Sequence, residues 1–108
     1  MFGLFKTPRI NIRKKIPQYA LTGFHAVESY ADVHLADLQE VQRNHAVAYI
    51  VSVWACNTAM TGDFHLSQFT YRSIQKTGML SLQMLSTDFQ NRANGVVGEL
   101  MKQGLIPR

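Results

Sequence analysis

From Phe24 onward the apolar positions recur at steps of three and four: Phe24, Val27, Ala31, Leu35, Leu38, Val41, His45, Ala48, Ser52, Ala55 and Ala59. That period is one stripe of an α-helix. In the first half the opposite face is polar, with Glu28, Asp32 and Glu40. The second half is apolar nearly all round. Ala46 to Cys56 is interrupted only by Ser52, with Tyr49, Ile50, Val53 and Trp54 off the stripe. An apolar run of roughly ten to fourteen residues marks a buried core helix rather than a membrane span. A helix apolar on every side must be covered on several of them. β-Branched residues crowd between Val47 and Trp54, which favours a strand locally. Against that, no Gly or Pro lies between Phe24 and Thr61, and no second convincing strand exists to pair with it. Helix is the expectation.

Thr61-Gly62-Asp63 reads as a helix stop and turn. A second stripe follows: Phe64, Ser67, Tyr71, Ile74, Gly78, Leu82, Leu85, Phe89, Ala93, Val96 and Leu100. Asp63 or Ser67 can cap it by accepting a hydrogen bond from free backbone amides. Gly78 and Gly95 are its candidate breaks, since each glycine costs about 1 kcal/mol against alanine inside a helix. Gly78 lies on the stripe, so close helix approach is the other reason for it. Gly104 and Pro107 mark the end of the helical pattern. Pro17 and Gly23 bracket a short helix from Pro17 to Thr22. A turn at Gly62 brings Ile50 near Ile74, Leu38 near Ser86 and Phe24 near Leu100. The fold expected is therefore all-α. It is either a long antiparallel helical hairpin, paired into a dimer to cover residues 46 to 56, or a small three- or four-helix bundle.

The first sixteen residues break this pattern. Gly3 and Pro8 oppose a helix, and Arg9 to Arg13 (RINIR) alternates at the strand period. With no partner strand, residues 1 to 16 read as an extended basic arm ahead of one helical domain, residues 17 to 108. Such an arm supplies no core stripe, and its removal is expected to leave the fold intact.

Charge sharpens the contrast. The net charge is +4 over 108 residues. Residues 1 to 15 hold Lys6, Arg9, Arg13, Lys14 and Lys15 and no acid. Residues 16 to 42 hold Glu28, Asp32, Asp37 and Glu40 and no Lys or Arg. Blocks of this kind suggest that the arm meets something acidic. The possibilities are nucleic acid, a lipid surface into which Phe2 and Phe5 insert, or the acidic segment of this chain or its neighbour. The single cysteine, Cys56, excludes an internal disulfide and fits a reducing, cytoplasmic setting. No short apolar core with a small-residue cleavage site follows the basic start, so a secretory signal is not expected.

Little chemistry stands out. His25, Glu28 and Asp32 share a helix face, but di-metal bundles need Glu-x-x-His on two helices. Here the order is His-x-x-Glu and it occurs once, so no metal site is expected and the face reads as exposed. His45 lies on the apolar stripe and reads as a hydrogen-bonded core residue rather than a ligand. Cys56 has no basic neighbour to lower its pKa. No Gly-x-Ser-x-Gly elbow, phosphate loop or Cys-x-x-Cys pair is present. No catalytic residue or cofactor is assigned.

These observations favour a non-enzymatic helical interaction protein. It would self-associate or bind a protein partner through apolar helix faces, with Tyr49, Ile50, Val53 and Trp54 as the contact residues. The alternative is a small protein that binds nucleic acid or an anionic membrane through Lys6, Arg9, Arg13, Lys14 and Lys15. No helix-turn-helix or zinc-finger spacing supports the nucleic-acid version.

Overall fold

The computed structural model describes residues 2–108, with side chains from Pro8 onward. The chain is all-α. Helices α1 (Phe2–Lys14), α2 (Leu21–His34), α3 (Glu40–Met60), α4 (Gln68–Gln83) and α5 (Thr87–Lys102) follow one another, with a 3₁₀ turn at Gln18–Ala20 before α2. No strand occurs among the described residues, and residues 47 to 54 are helical. Among the described residues no helix is long and apolar enough to cross a membrane.

Helix α3 is the axis. It packs against all four other helices, as its apolar circumference requires. Ala46, Val47, Ala48, Ile50, Val51 and Ala55 have no exposed surface. Trp54 is 4 % exposed and makes edge contacts with Phe24 from α2 and with Phe64.

The arm reading is corrected from Pro8 onward. Residues up to Lys14 form α1, which packs on α3 and α4. Arg9, Ile12 and Ile16 follow one another at helical steps, and Ile12 and Ile16 are buried. Packing of that stripe outweighs the local penalty of Pro8 and the strand-like alternation of RINIR, as tertiary contacts commonly do with weak propensities. Phe2, Phe5 and Lys6, assigned to surface contact from the sequence, lie outside the described side chains.

Both long stripes are interrupted, and neither break falls where a glycine suggested. Between α2 and α3 the chain turns over Leu35 to Gln39, with Leu35 and Leu38 still buried. Arg43 donates to the Leu38 carbonyl at 2.9 Å and Arg92 to the His34 carbonyl at 3.4 Å. Donors from elsewhere thus satisfy carbonyls that a continuous helix would have paired. Between α4 and α5 the turn is at Met84 to Ser86. The Ser86 hydroxyl caps α5 by accepting from the Phe89 amide at 3.3 Å, while Gln90 donates to the Leu82 and Leu85 carbonyls. Gly78 and Gly95 both lie inside helices. The expected helix over Pro17 to Thr22 is replaced by the 3₁₀ turn. Gly23 lies within α2 instead, where an added Cβ would come 3.0 Å from the Trp54 ring.

The turn after α3 does fall at Gly62, whose φ of +86° is a left-handed conformation that glycine adopts without strain. Ser67 caps α4, its hydroxyl accepting from the Thr70 amide at 3.1 Å. Helices α3 and α4 run back along one another, with the register shifted from the expected pairing of Ile50 with Ile74. Ser52 faces Gly78, and His45 faces Ser81.

Candidate functional site

Two concave surfaces flank α1. On the α2 side lies a polar cleft of about 480 Å³, and Arg9 is its centre. The Arg9 guanidinium donates to both carboxylate oxygens of Asp32 at 2.9 Å, to Asn44 Oδ1 at 2.9 Å and to Glu28 at 3.4 Å. Bidentate pairing of this kind is the strong form of a carboxylate–guanidinium contact. Arg43 approaches Asp32 at 3.8 Å from α3. One target of the basic block is therefore the acidic segment of the same chain. The face expected to be exposed is partly covered: Glu28 keeps only 16 % of its side chain in solvent. Arg9 Nε and Asn44 Nδ2 have no hydrogen-bond partner among the described residues, but both atoms are buried and offer nothing to a ligand in the cleft. The cleft reads as an internal ion-pair cluster that ties α1, α2 and α3 together.

On the other side, between α1 and α4, is an apolar groove of about 380 Å³. Its α1 wall is Pro8 and Asn11. Its α4 wall is Thr77, Leu80, Ser81, Gln83 and Met84, and His45 of α3 forms the floor. Leu80 is 52 % exposed and Met84 69 % exposed, with Met79 exposed beside them. Large apolar side chains standing together at a groove rim need a reason, whereas scattered ones do not. Lys15 lies just past the end of α1, its ammonium donating to the Asn11 carbonyl at 3.4 Å. On α4, Arg72 and Lys76 precede Leu80 at four-residue steps, so the three share one exposed face. Among the described residues neither an acidic nor a basic side chain lines the groove itself.

His45 Nδ1 lies 3.4 Å from Ser81 Oγ, a long contact. Burial pushes the imidazole pKa below its ordinary value, so near neutral pH it stays uncharged at the foot of the groove. Among the described residues Ser81 is the side chain whose hydrogen-bond contact with His45 is seen. Cys56 is buried, and burial pushes its thiol up, which the neighbouring Tyr71 hydroxyl only partly offsets. Among the described residues no three His, Cys, Asp or Glu groups converge on a common point.

The residues assigned to an interaction face from the sequence are divided by the fold. Ile50 and Trp54 belong to the chain's own core and present nothing to a partner. Tyr49 and Val53 are partly exposed, and the Tyr49 hydroxyl donates to Asn94 Oδ1 at 2.6 Å. Arg9 is occupied by carboxylates, while Arg13 and Lys14 are exposed. Leu80 was missed. Its signal was present, since Met79, Leu80 and Met84 all fall off the buried stripe of the second half of the chain. Comparisons with protein-family models, with curated proteins and with solved structures give no match.

Proposed function

We propose that this chain is a non-enzymatic helical bundle that works as an interaction module. Its contact face is the groove between α1 and α4 together with the exposed edge of α4. The observation that carries the reading is the exposed apolar rim of Leu80 and Met84 beside a concave groove with the uncharged His45 at its foot. Helix-in-groove recognition uses this arrangement: a few apolar side chains of one helix enter a furrow between two others. Methionine at the rim suits such a role, because its unbranched side chain adapts to differently shaped partners. The reading keeps the apolar-face interaction suggested by the sequence and moves it from the Trp54 side of α3 to the outer side of α4. Self-association and hetero-association both remain within it.

A photo-crosslinking residue at position 84, expressed in the native host, should give a discrete higher-mass adduct with a protein. The same residue at position 33 should give none, because Val33 is an exposed apolar side chain that does not line the α1–α4 groove. Equal adducts from both positions, or none from position 84, would remove the groove from consideration.

A further inference from the structure

Resting on that reading, we infer that the occupant of the α1–α4 groove is an acidic amphipathic helix of another protein. The argument is charge complementarity across an apolar furrow. The groove volume of about 380 Å³ accommodates one or two large aliphatic side chains, which serve as anchors. Among the described residues no charged side chain lines it. The cations beside its lining are Lys15, just past the end of α1 with its ammonium donating to the Asn11 carbonyl, and Lys76 and Arg72, one and two turns before Leu80 on the exposed face of α4. None of the three makes an ion pair among the described residues. The nearest acid along the chain is Asp88, in the first turn of α5 beyond Met84.

Rim charges of one sign steer the approach of a partner of the other sign and disfavour partners of the same sign. A second copy docking by the same face would set Lys76 and Arg72 against their own counterparts, an unfavourable pairing. A lipid surface matches the cations, but it is flat, whereas this apolar area is recessed between two helices with Asn11, Ser81 and His45 inside it. A helix carrying leucines along one edge and glutamates beside them fits both the shape and the charge.

The probes are two designed helical peptides of identical length. Both carry leucine at i, i+4 and i+7, and glutamate flanks the leucines in one where lysine does in the other. Fluorescence anisotropy against the full chain at moderate salt should show the glutamate peptide binding at least tenfold more tightly than its twin. The double variant Lys15→Glu, Lys76→Glu should reverse that order, and Leu80→Asp should abolish binding of both. These sites are on the surface, and circular dichroism checks that each variant folds. Equal binding of the two peptides, abolished by Leu80→Asp, overturns the acidic partner and leaves the groove as an interaction face. Peptide binding untouched by Leu80→Asp, or no binding at all, overturns the acidic helix at this groove. So does a concentration-dependent dimer mass lost on Leu80→Asp, or preferential binding to phosphatidylserine vesicles.

Discussion

Replacing Gly78 with alanine tests the close approach of α4 to α3 at Ser52. A Cβ at this position would lie 1.9 Å from Ser52 Oγ and 2.5 Å from Ser52 Cβ. The hydroxyl can rotate away from its hydrogen bond to the Tyr49 carbonyl, but the Ser52 Cβ is fixed to the α3 backbone. Non-bonded carbons settle at roughly 3.5–4.0 Å, so α3 and α4 must part by about 1 Å along their shared face. Overpacking of this kind costs about 1–3 kcal/mol, and the upper end applies where no rotamer change relieves it. Alanine recovers about 1 kcal/mol of helix propensity. The net expectation is a loss of about 2 kcal/mol, or a thermal midpoint lower by roughly 8 °C. Urea unfolding followed by Trp54 fluorescence and by circular dichroism measures it. Ser52→Ala should relieve little of the clash because its Cβ remains, whereas Ser52→Gly combined with Gly78→Ala should be more stable than Gly78→Ala alone. Gly95→Ala is the control. Nothing lies within 4 Å of its added Cβ, so it should stabilise by about 0.5–1 kcal/mol. A neutral or stabilising Gly78→Ala would refute the close approach of α3 and α4.

Removing residues 2 to 15 should lower stability, by about 1.5–3 kcal/mol for the loss of buried Ile12 alone; an unchanged urea midpoint would return this segment to a loose arm. Arg9→Lys should cost about 1.5–3 kcal/mol, since one ammonium cannot reproduce a bidentate contact with Asp32 and a bond to Asn44 together. Equal unfolding curves for Arg9→Lys and the parent chain would show that the cluster contributes nothing. His45 has a folded-state pKa below its ordinary 6.5, so the unfolded chain takes up the proton first as pH falls. The neutral imidazole's contribution is therefore present above about pH 6.5 and is lost below it; His45→Gln should flatten that part of the stability profile, and an unaltered profile would assign the dependence elsewhere. Trp54→Ala should cost about 3–5 kcal/mol, whereas Val53→Ser, at a partly exposed position, should cost much less; equal losses would mean that Val53 is covered.

Much of the fold was legible because hydrophobic period responds to burial, and burial is what α3 has most of. The run from Ala46 to Cys56 could be read as a helix covered on several sides without knowing what covers it. The turn at Gly62 was also legible, because its left-handed φ leaves few other residues comfortable there. The breaks at Leu35 to Gln39 and at Met84 to Ser86 were not. The first is sustained by Arg43 and Arg92, guanidiniums from α3 and α5 that reach carbonyls of the connection. The second uses Gln90 in the same way. Stripes that continue in phase across such a turn look unbroken in sequence, since Leu35, Leu38 and Leu85 stay buried through it. Helix α1 was hidden for a related reason. Its inward stripe includes an arginine whose partners lie nineteen and twenty-three residues away.

That arginine also changes what the uneven charge means. Read along the chain, five cations followed by four acids suggested an arm reaching for an outside anion. In the fold, Arg9 pairs with Asp32 and Glu28, with Arg43 also beside Asp32, and Arg92 holds Asp37 with two bonds at 2.7 and 2.8 Å. The Arg92 guanidinium keeps the Asp37 carboxyl below its ordinary pKa. Three of the four acids of residues 16 to 42 are thus consumed internally, and the arginines that pair with them cannot recruit a partner without giving them up. The cations left over include Lys14 and Lys15 at the end of α1 and Arg72 and Lys76 on α4. Lys15 lies one turn past Asn11, and Arg72 and Lys76 precede Leu80 on its exposed face, so these three lie nearest the α1–α4 groove along their own segments. On the proposal made above, the positive charge that serves recognition belongs to a surface assembled from residues 8 to 15 and 72 to 84, which no window of the sequence contains. Binding that follows Lys76 and Lys15 would be a property of the fold; binding that follows Arg13 and Lys14 alone would be a property of the arm.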